Sequence, residues 1–282
     1  MKLLRSQLVP FATVFGLLMS TVLAASAQAQ QASTPAPSPS VMTDQELAIA
    51  VHNPFEDLVK VPIQSTTGFQ LGPHHEVGDS VNIEPVVPFS LNAQWDLIAR
   101  PSLTVTYAPT PHEQSGLEDL ETSFFLTPAK ESTWIWGFGP IFDFPTASSS
   151  ELGSGRWSAG PTAALAYSEG PWLNAILTDQ LMSFAGNRAR GSVNQTYIEP
   201  MISYNFESGW YADVDPAITY DWTADTANAW TIPMGADIGK AFKFGSQDLS
   251  LQVGAYYLLK RPEGEAQWIA RVSVTFLFPH LH

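Results

Sequence analysis

From Val61 onward, apolar and polar residues alternate along one segment after another, most plainly between positions 134 and 167. Trp134, Trp136, Phe138, Pro140, Phe142 and Phe144 share one parity, against Ile135, Gly137, Gly139, Ile141 and Asp143. After a polar connection, Trp157, Ala159, Pro161, Ala163, Leu165 and Tyr167 oppose Arg156, Ser158, Gly160, Thr162, Ala164 and Ala166. A period of two is the strand period. A soluble sandwich turns such an apolar face inward. A membrane barrel turns it outward, with aromatics near both interfaces and a polar interior.

Twelve segments of this kind are predicted, at about 61–71, 80–92, 95–108, 118–128, 132–146, 155–168, 171–185, 193–207, 210–223, 229–243, 248–260 and 266–278. The connections alternate as well. Tight turns follow the even-numbered strands, as at Asn92-Ala93-Gln94 and Glu207-Ser208-Gly209. Longer polar connections follow odd ones, over 72–79, 109–116, 147–154 and 186–192. Short turns at one end and long loops at the other are the outer-membrane pattern. The fold class is all-β: one antiparallel transmembrane barrel of about twelve strands over residues 53–282. A soluble β-sandwich is the alternative. Proline recurs inside the strands at Pro85, Pro101, Pro140, Pro161, Pro200 and Pro216. It cannot donate a ladder hydrogen bond, so the repetition suggests a shared structural level, with bulges near one rim.

The chain opens with Lys2-Leu-Leu-Arg5, an apolar run over 8–23 and Ala25-Ser26-Ala27, the order of a secretory signal peptide over residues 1–29, cleaved after Ala27 or Ala29. A Gln, Ala, Ser and Pro-rich linker follows, then a short helix to His52, with Thr43 as cap and Glu46 at the capping-box position. The helix is expected to lie under the barrel mouth, with a plug as the other reading. No later apolar run is long enough for a membrane helix, so any membrane crossing falls to a closed barrel.

Cysteine is absent, so packing and strand pairing must hold the fold. A net charge of −14 argues against nucleic acid as a partner. Charged residues are only 14% of the chain, where soluble domains carry about 25%. That shortage fits a surface facing something other than water.

An ordered set of motifs supports a resemblance. Gly139-Pro140-Ile-Phe-Asp-Phe-Pro145-Thr146, Leu152-Gly153-Ser-Gly155-Arg-Trp157, Gln180-Leu-Met-Ser183-Phe184-Ala-Gly186, Val193-Asn194-Gln195-Thr196, Asp221-Trp222 and Ile232-Pro233-Met234-Gly235 are among them. With these the chain, over about 53–279, resembles a bacterial outer-membrane family named for the meta-pathway of phenol degradation and described as transporters. The resemblance implies a Gram-negative outer-membrane barrel that helps small hydrophobic or aromatic molecules across. Its expected partners are outer-membrane lipid, a small-molecule solute and the insertion machinery. That machinery reads a terminal aromatic residue, whereas here Phe278 is followed by Pro279, His280, Leu281 and His282.

Catalysis is not expected: no Gly-x-Ser-x-Gly elbow occurs, and His52, His74, His75, His112, His280 and His282 all fall outside the predicted strands. Neither a cofactor nor a metal is expected, and His74-His75-Glu76 reads as a solvated loop. The candidate site lies on the inward parity. Glu84, Asp143, Glu199, Asp213, Asp215, Asp221 and Asp237 fall there, with Arg100, Arg156 and Arg271. One reading is a charged lumen that selects solutes. The other is a set of interior salt bridges that fill a barrel of modest width. A structural or adhesive barrel and a lipid-modifying enzyme are the alternatives to transport.

Overall fold

The computed structural model describes residues 42–109, 113–130 and 132–279. The expected signal peptide, most of the linker, His112, His280 and His282 lie outside these residues. Helix α1 (Asp44–His52) forms where the capping pattern predicts it. The Thr43 hydroxyl accepts from the Glu46 N–H at 3.2 Å, and the Glu46 carboxylate accepts from the Thr43 N–H at 2.7 Å. Asn53-Pro54 ends the helix, because a residue before proline avoids the helical region.

The strands are β1 (Leu58–Leu71), β2 (Glu76–Ile83), β3 (Val87–Asn92), β4 (Trp95–Ala108), β5 (Gln114–Leu117), β6 (Leu120–Pro128), β7 (Trp134–Phe144) and β8 (Arg156–Glu169). They continue as β9 (Trp172–Gly186), β10 (Asn194–Asn205), β11 (Trp210–Val214), β12 (Ile218–Asp221), β13 (Trp230–Phe244), β14 (Gln247–Lys260) and β15 (Trp268–Pro279). β2 and β3, β5 and β6, and β11 and β12 run end to end, so the wall has twelve antiparallel staves. β1 pairs with β15 from Leu58↔Pro279 to Phe69↔Trp268 and closes the ring. The first outer connection is shorter than expected: β2 already starts at Glu76, and Gln70, Gly72 and His75 take positive φ to make a tight turn.

The outer face is apolar. Phe138, Leu165, Ile176, Ile202, Val214, Met234, Ile238 and Val253 are exposed around the wall. Aromatic pairs band both ends of that face. Trp134–Tyr167 and Trp172–Tyr204 stand at the end with the short turns, and Phe144–Trp157, Tyr220–Trp230 and Tyr257–Trp268 at the end with the loops. An apolar band between aromatic girdles is the lipid-facing surface of a membrane barrel.

The in-strand prolines form cross-strand pairs. Pro140 is the register partner of Pro161. The pairs Ile83↔Leu103 and Val87↔Ala99 bracket Pro85 opposite Pro101, and Ile198↔Ile218 and Ile202↔Val214 bracket Pro200 opposite Pro216. Each pair gathers two missing donors at one place. At Pro140 and Pro161 the gaps fall on the outer neighbours: the β6–β7 ladder skips from Ser123↔Ile141 to Leu126↔Phe138, and β8–β9 from Ala159↔Met182 to Thr162↔Asp179. The facing carbonyls of Phe124 and Gln180 crowd against Gly139 and Gly160, where a Cβ would meet them at 1.9 and 1.6 Å. Glycine precedes proline at both sites because no side chain fits beside the displaced carbonyl. At the other two pairs both gaps fall on the shared seam and break a stave.

Candidate functional site

Helix α1 lies inside the barrel at the end with the short turns, not under its mouth. Leu47 and Ala48 pack against the inward Tyr211, Ala241 and Leu277, all buried. Its apolar face thus finds the lumen wall, which sequence periodicity over so short a helix does not reveal. Polar contacts fix it. Gln45 Nε2 donates to the Asn205 carbonyl at 2.8 Å. Lys60 Nζ donates to the carbonyls of Ala50, Val51 and Asn53 at the C-terminal end of the helix, whose last carbonyls lack partners within it. His52 donates through Nδ1 to the Ala48 carbonyl at 2.9 Å, and its Nε2 lies 3.6 Å from Asp213 Oδ1. At that distance the contact is an ion pair rather than a hydrogen bond. Burial pushes the His52 imidazole down, but the Asp213 carboxylate outweighs it and leaves the ring above its ordinary value.

Above the helix is a cavity of about 430 Å³. Glu84, Arg100, Glu199, Asp215 and Arg271 of the expected set line it. Sequence parity did not single out Glu121, Asp179 and Tyr197, which line it too. Glu121 and Asp179 sit on β6 and β9, whose segments alternate weakly, whereas Tyr197 shares the parity of Glu199 on β10 but carries no charge to draw notice. Apolar groups interleave with them, among them Ile141, Ala164, Leu177 and Met201.

The charges fall into two groups. Arg271 Nη2 donates to Asp215 and Asp237, the Tyr256 hydroxyl lies within hydrogen-bond reach of both carboxylates with one proton to give, and the guanidinium lies 4.2 Å from the Tyr256 ring centre. Gln252 Nε2 donates to Asp213 at 3.1 Å. Asp213, Asp215 and Asp237 have oxygens within 4.8 Å of one another, a set able to hold a cation, but the Arg271 guanidinium already bridges two of them. Asp213 and Asp237 are buried. On the other side, Arg100 pairs with Glu84 at 2.5 Å. Among the described residues, no salt bridge reaches Glu121, Asp179 or Glu199.

A second cavity of about 500 Å³ opens toward the long loops, lined by Glu118, Asp119, Glu121, Asp143 and Glu151. Glu121 lines both cavities. Asp119 holds the 145–155 loop over this mouth, accepting from the Ala147 N–H at 2.9 Å and the Ser154 N–H at 2.6 Å. Arg156 and Asp221, expected to line the lumen, instead serve the rim: Arg156 donates to the Asn187 carbonyl, and Asp221 accepts from Thr223. Both stand at strand ends, where inward parity leads into a loop rather than the lumen.

No protein-family model and no curated protein matches the chain. Among solved structures, its fold is similar to the COG4313 outer membrane channel from Pseudomonas putida F1, with 13% identity and a TM-score of 0.60 over 88% of this chain and 100% of that one. The KdgM porin has 11% identity and a TM-score of 0.46 over 77% and 98%. Outer membrane phospholipase A from Escherichia coli has 13% and 0.41 over 84% and 98%. The first likeness, with the closed ring and the apolar belt, shows the fold to be that of an outer-membrane β-barrel.

Proposed function

We propose that this barrel stands in the outer membrane of a Gram-negative bacterium as a channel for small neutral or cationic molecules. The observation that carries the reading is the pair of cavities that share Glu121 in their linings, one opening toward the loops and one ending on α1. A structural or adhesive barrel has no need of an internal chamber with unpaired carboxylates. Excess acid along the path attracts cations and repels anions. The apolar groups between the charges suit a solute with an apolar body and a polar group. The motif resemblance to the phenol-pathway family supports the same class and extends it to small aromatic molecules. Catalysis finds no support at His52, whose ring nitrogens face a backbone carbonyl and Asp213.

Planar-bilayer recording tests the reading. The purified protein is expected to conduct with a preference for cations, and Glu121→Gln with Glu199→Gln is expected to reduce that preference while insertion stays intact. A well-folded protein that carries no current and takes up no solute in vesicles overturns it.

A further inference from the structure

The outer face of β9 and β10 carries polar side chains near the loop end, where lipid is expected. Asp179, Gln195 and Tyr197 line the cavities, so Gln180, Asn194 and Thr196 beside them point outward. Hydrogen bonds join these three to Trp222 in one chain. Trp222 Nε1 donates to Thr196 Oγ1 at 2.8 Å, the Thr196 hydroxyl donates to Gln180 Oε1, and Gln180 Nε2 donates to Asn194 Oδ1 at 2.7 Å. The chain ends on Asn194 Nδ2, whose N–H donors meet no acceptor among the described residues. Polar groups turned to hydrocarbon are costly. This cluster therefore suits a lipid that is itself polar at this level. Trp157, Met182, Phe184 and Trp222 flank it, all exposed.

The loop over 187–193 adds positive charge above the cluster. Arg156 Nη1 donates to the Asn187 carbonyl at 3.2 Å. Arg190 donates to the Gly153 carbonyl at 2.6 Å and the Ser154 carbonyl at 3.3 Å. Within the loop, the Asn187 side chain accepts from the Ala189 N–H at 3.0 Å, and its carbonyl from the Arg190 N–H at 3.1 Å. These contacts fix a tight turn that leaves Arg188 exposed. The chain then turns back, so that Arg190 stands four residues before Asn194. Among the described residues, no salt bridge engages Arg156, Arg188 or Arg190. Glu151 senses the Arg190 charge, but its carboxylate bonds first to its own backbone and to Ser150. Across the barrel the rim is acidic, with Glu76, Asp79 and Glu113 around Tyr107. Lys260 and Arg261, also at the loop end, stand apart at the end of β14. Three arginines together on a chain of net charge −14 are a local device.

We propose that the wall over β8–β10, at the loop end, docks a phosphorylated acyl-sugar lipid of the outer leaflet. Arg188, with Arg156 and Arg190 beside it, takes the sugar phosphate through charge-assisted hydrogen bonds. Asn194 and Gln180 offer amide N–H groups to the amide or hydroxyl oxygens of the acylated sugar. Trp157, Met182 and Phe184 pack against its acyl chains. A plain phospholipid carries the phosphate without the sugar, so it meets the arginines and leaves the amides unanswered. The inference rests on the outer-membrane placement and is independent of transport.

Native mass spectrometry of the purified protein in dodecyl maltoside, with diphosphoryl lipid A or phosphatidylglycerol added, tests the site. Lipid A is expected to be retained in preference to phosphatidylglycerol. Arg188→Glu is expected to weaken lipid A binding about tenfold, the scale of one lost charge-assisted contact, and Asn194→Ala by less. Lys260→Glu makes the same charge reversal at an exposed position elsewhere on the rim, and is expected to leave binding unchanged. Heat-modifiable migration reports the folding of each variant, and the exposed Arg188 decides the matter even if Asn194→Ala does not fold. Equal weakening by Arg188→Glu and Lys260→Glu traces binding to the net charge of the rim and overturns the site. Equal retention of phosphatidylglycerol overturns the sugar assignment. Recovery of the unaltered protein outside the outer-membrane fraction sinks the placement itself. A folded protein recovered from that fraction without a preference for lipid A keeps the placement and loses the site.

Discussion

At Pro85 the break in the stave stays tied on one side. Glu84 N–H donates to the Pro62 carbonyl at 3.3 Å, Val86 N–H to Lys60 at 2.8 Å, and Lys60 N–H returns to Val86 at 3.0 Å. β1 thus holds β2 and β3 in line while only the β4 seam is open. At Pro216 the stave is free of both neighbours, and side chains from β14 and β15 hold it. The two sites share one sequence device, a proline facing a proline, with a charged residue before each: Glu84 and Arg100, Glu199 and Asp215. The difference lies in the third strand. A facing proline pair removes one seam, and a wall survives that loss. At Pro216 the next seam is unpaired as well, beside the register shift in β13.

Charge follows the same division. The Arg100–Glu84 pair is partly open to the cavity, with side chains 18% and 28% exposed. The Arg271 cluster is tighter, with Asp237 at 1% and Arg271 at 11%. The largest effect is therefore expected at Arg271. Arg271→Met leaves Asp215 and Asp237 without their cation and destabilises the barrel by about 3–5 kcal/mol, read as a lower temperature for loss of the heat-modifiable gel band. Arg100→Met is expected to shift that band less, and an equal shift breaks the comparison. Next comes Tyr256→Phe, which removes the hydroxyl shared by Asp215 and Asp237 and frees the Asp215 N–H, at about 1–3 kcal/mol. Hydrogen exchange over 214–218 is expected to accelerate in that variant, while exchange over 83–87 stays unchanged.

The smallest effect concerns α1. The folded His52 lies above the unfolded value of 6.5, so its ion pair with Asp213 adds to helix docking below that pH. The contribution is lost as pH rises through the folded value. After correction for intrinsic rates, α1 amides are expected to exchange faster relative to β14 at about pH 8 than at about pH 5.5. His52→Gln should erase the difference. A pH effect of the same sign that persists in that variant overturns the assignment to His52.

Much of the wall is legible in the sequence. The stave predicted at 95–108 has the bounds observed for β4, and that at 248–260 differs from β14 by one residue. Lipid on one face and polar groups on the other enforce a strict period of two, and the period is local information. The proline pairs are not local. Pro85 and Pro101 become partners only when a register fixes which residue of one strand faces which of the next. The site was legible in part for the same reason. Parity finds Glu84, Arg100, Glu199, Asp215 and Arg271, but it cannot separate a residue at mid-lumen from Arg156 or Asp221 at the rim. It also passes over Tyr256, an aromatic on the polar face, and His52, which reaches the lumen from a helix.

The link between α1 and β1 carries a further consequence. Residues 53–57 alone join them, and five extended residues reach about 17 Å. A displaced helix stays leashed to the rim of the opening it left. Its re-entry is an intramolecular event, set by the local concentration that the leash imposes. Return of a displaced α1 is therefore expected to be independent of how many barrels share the membrane.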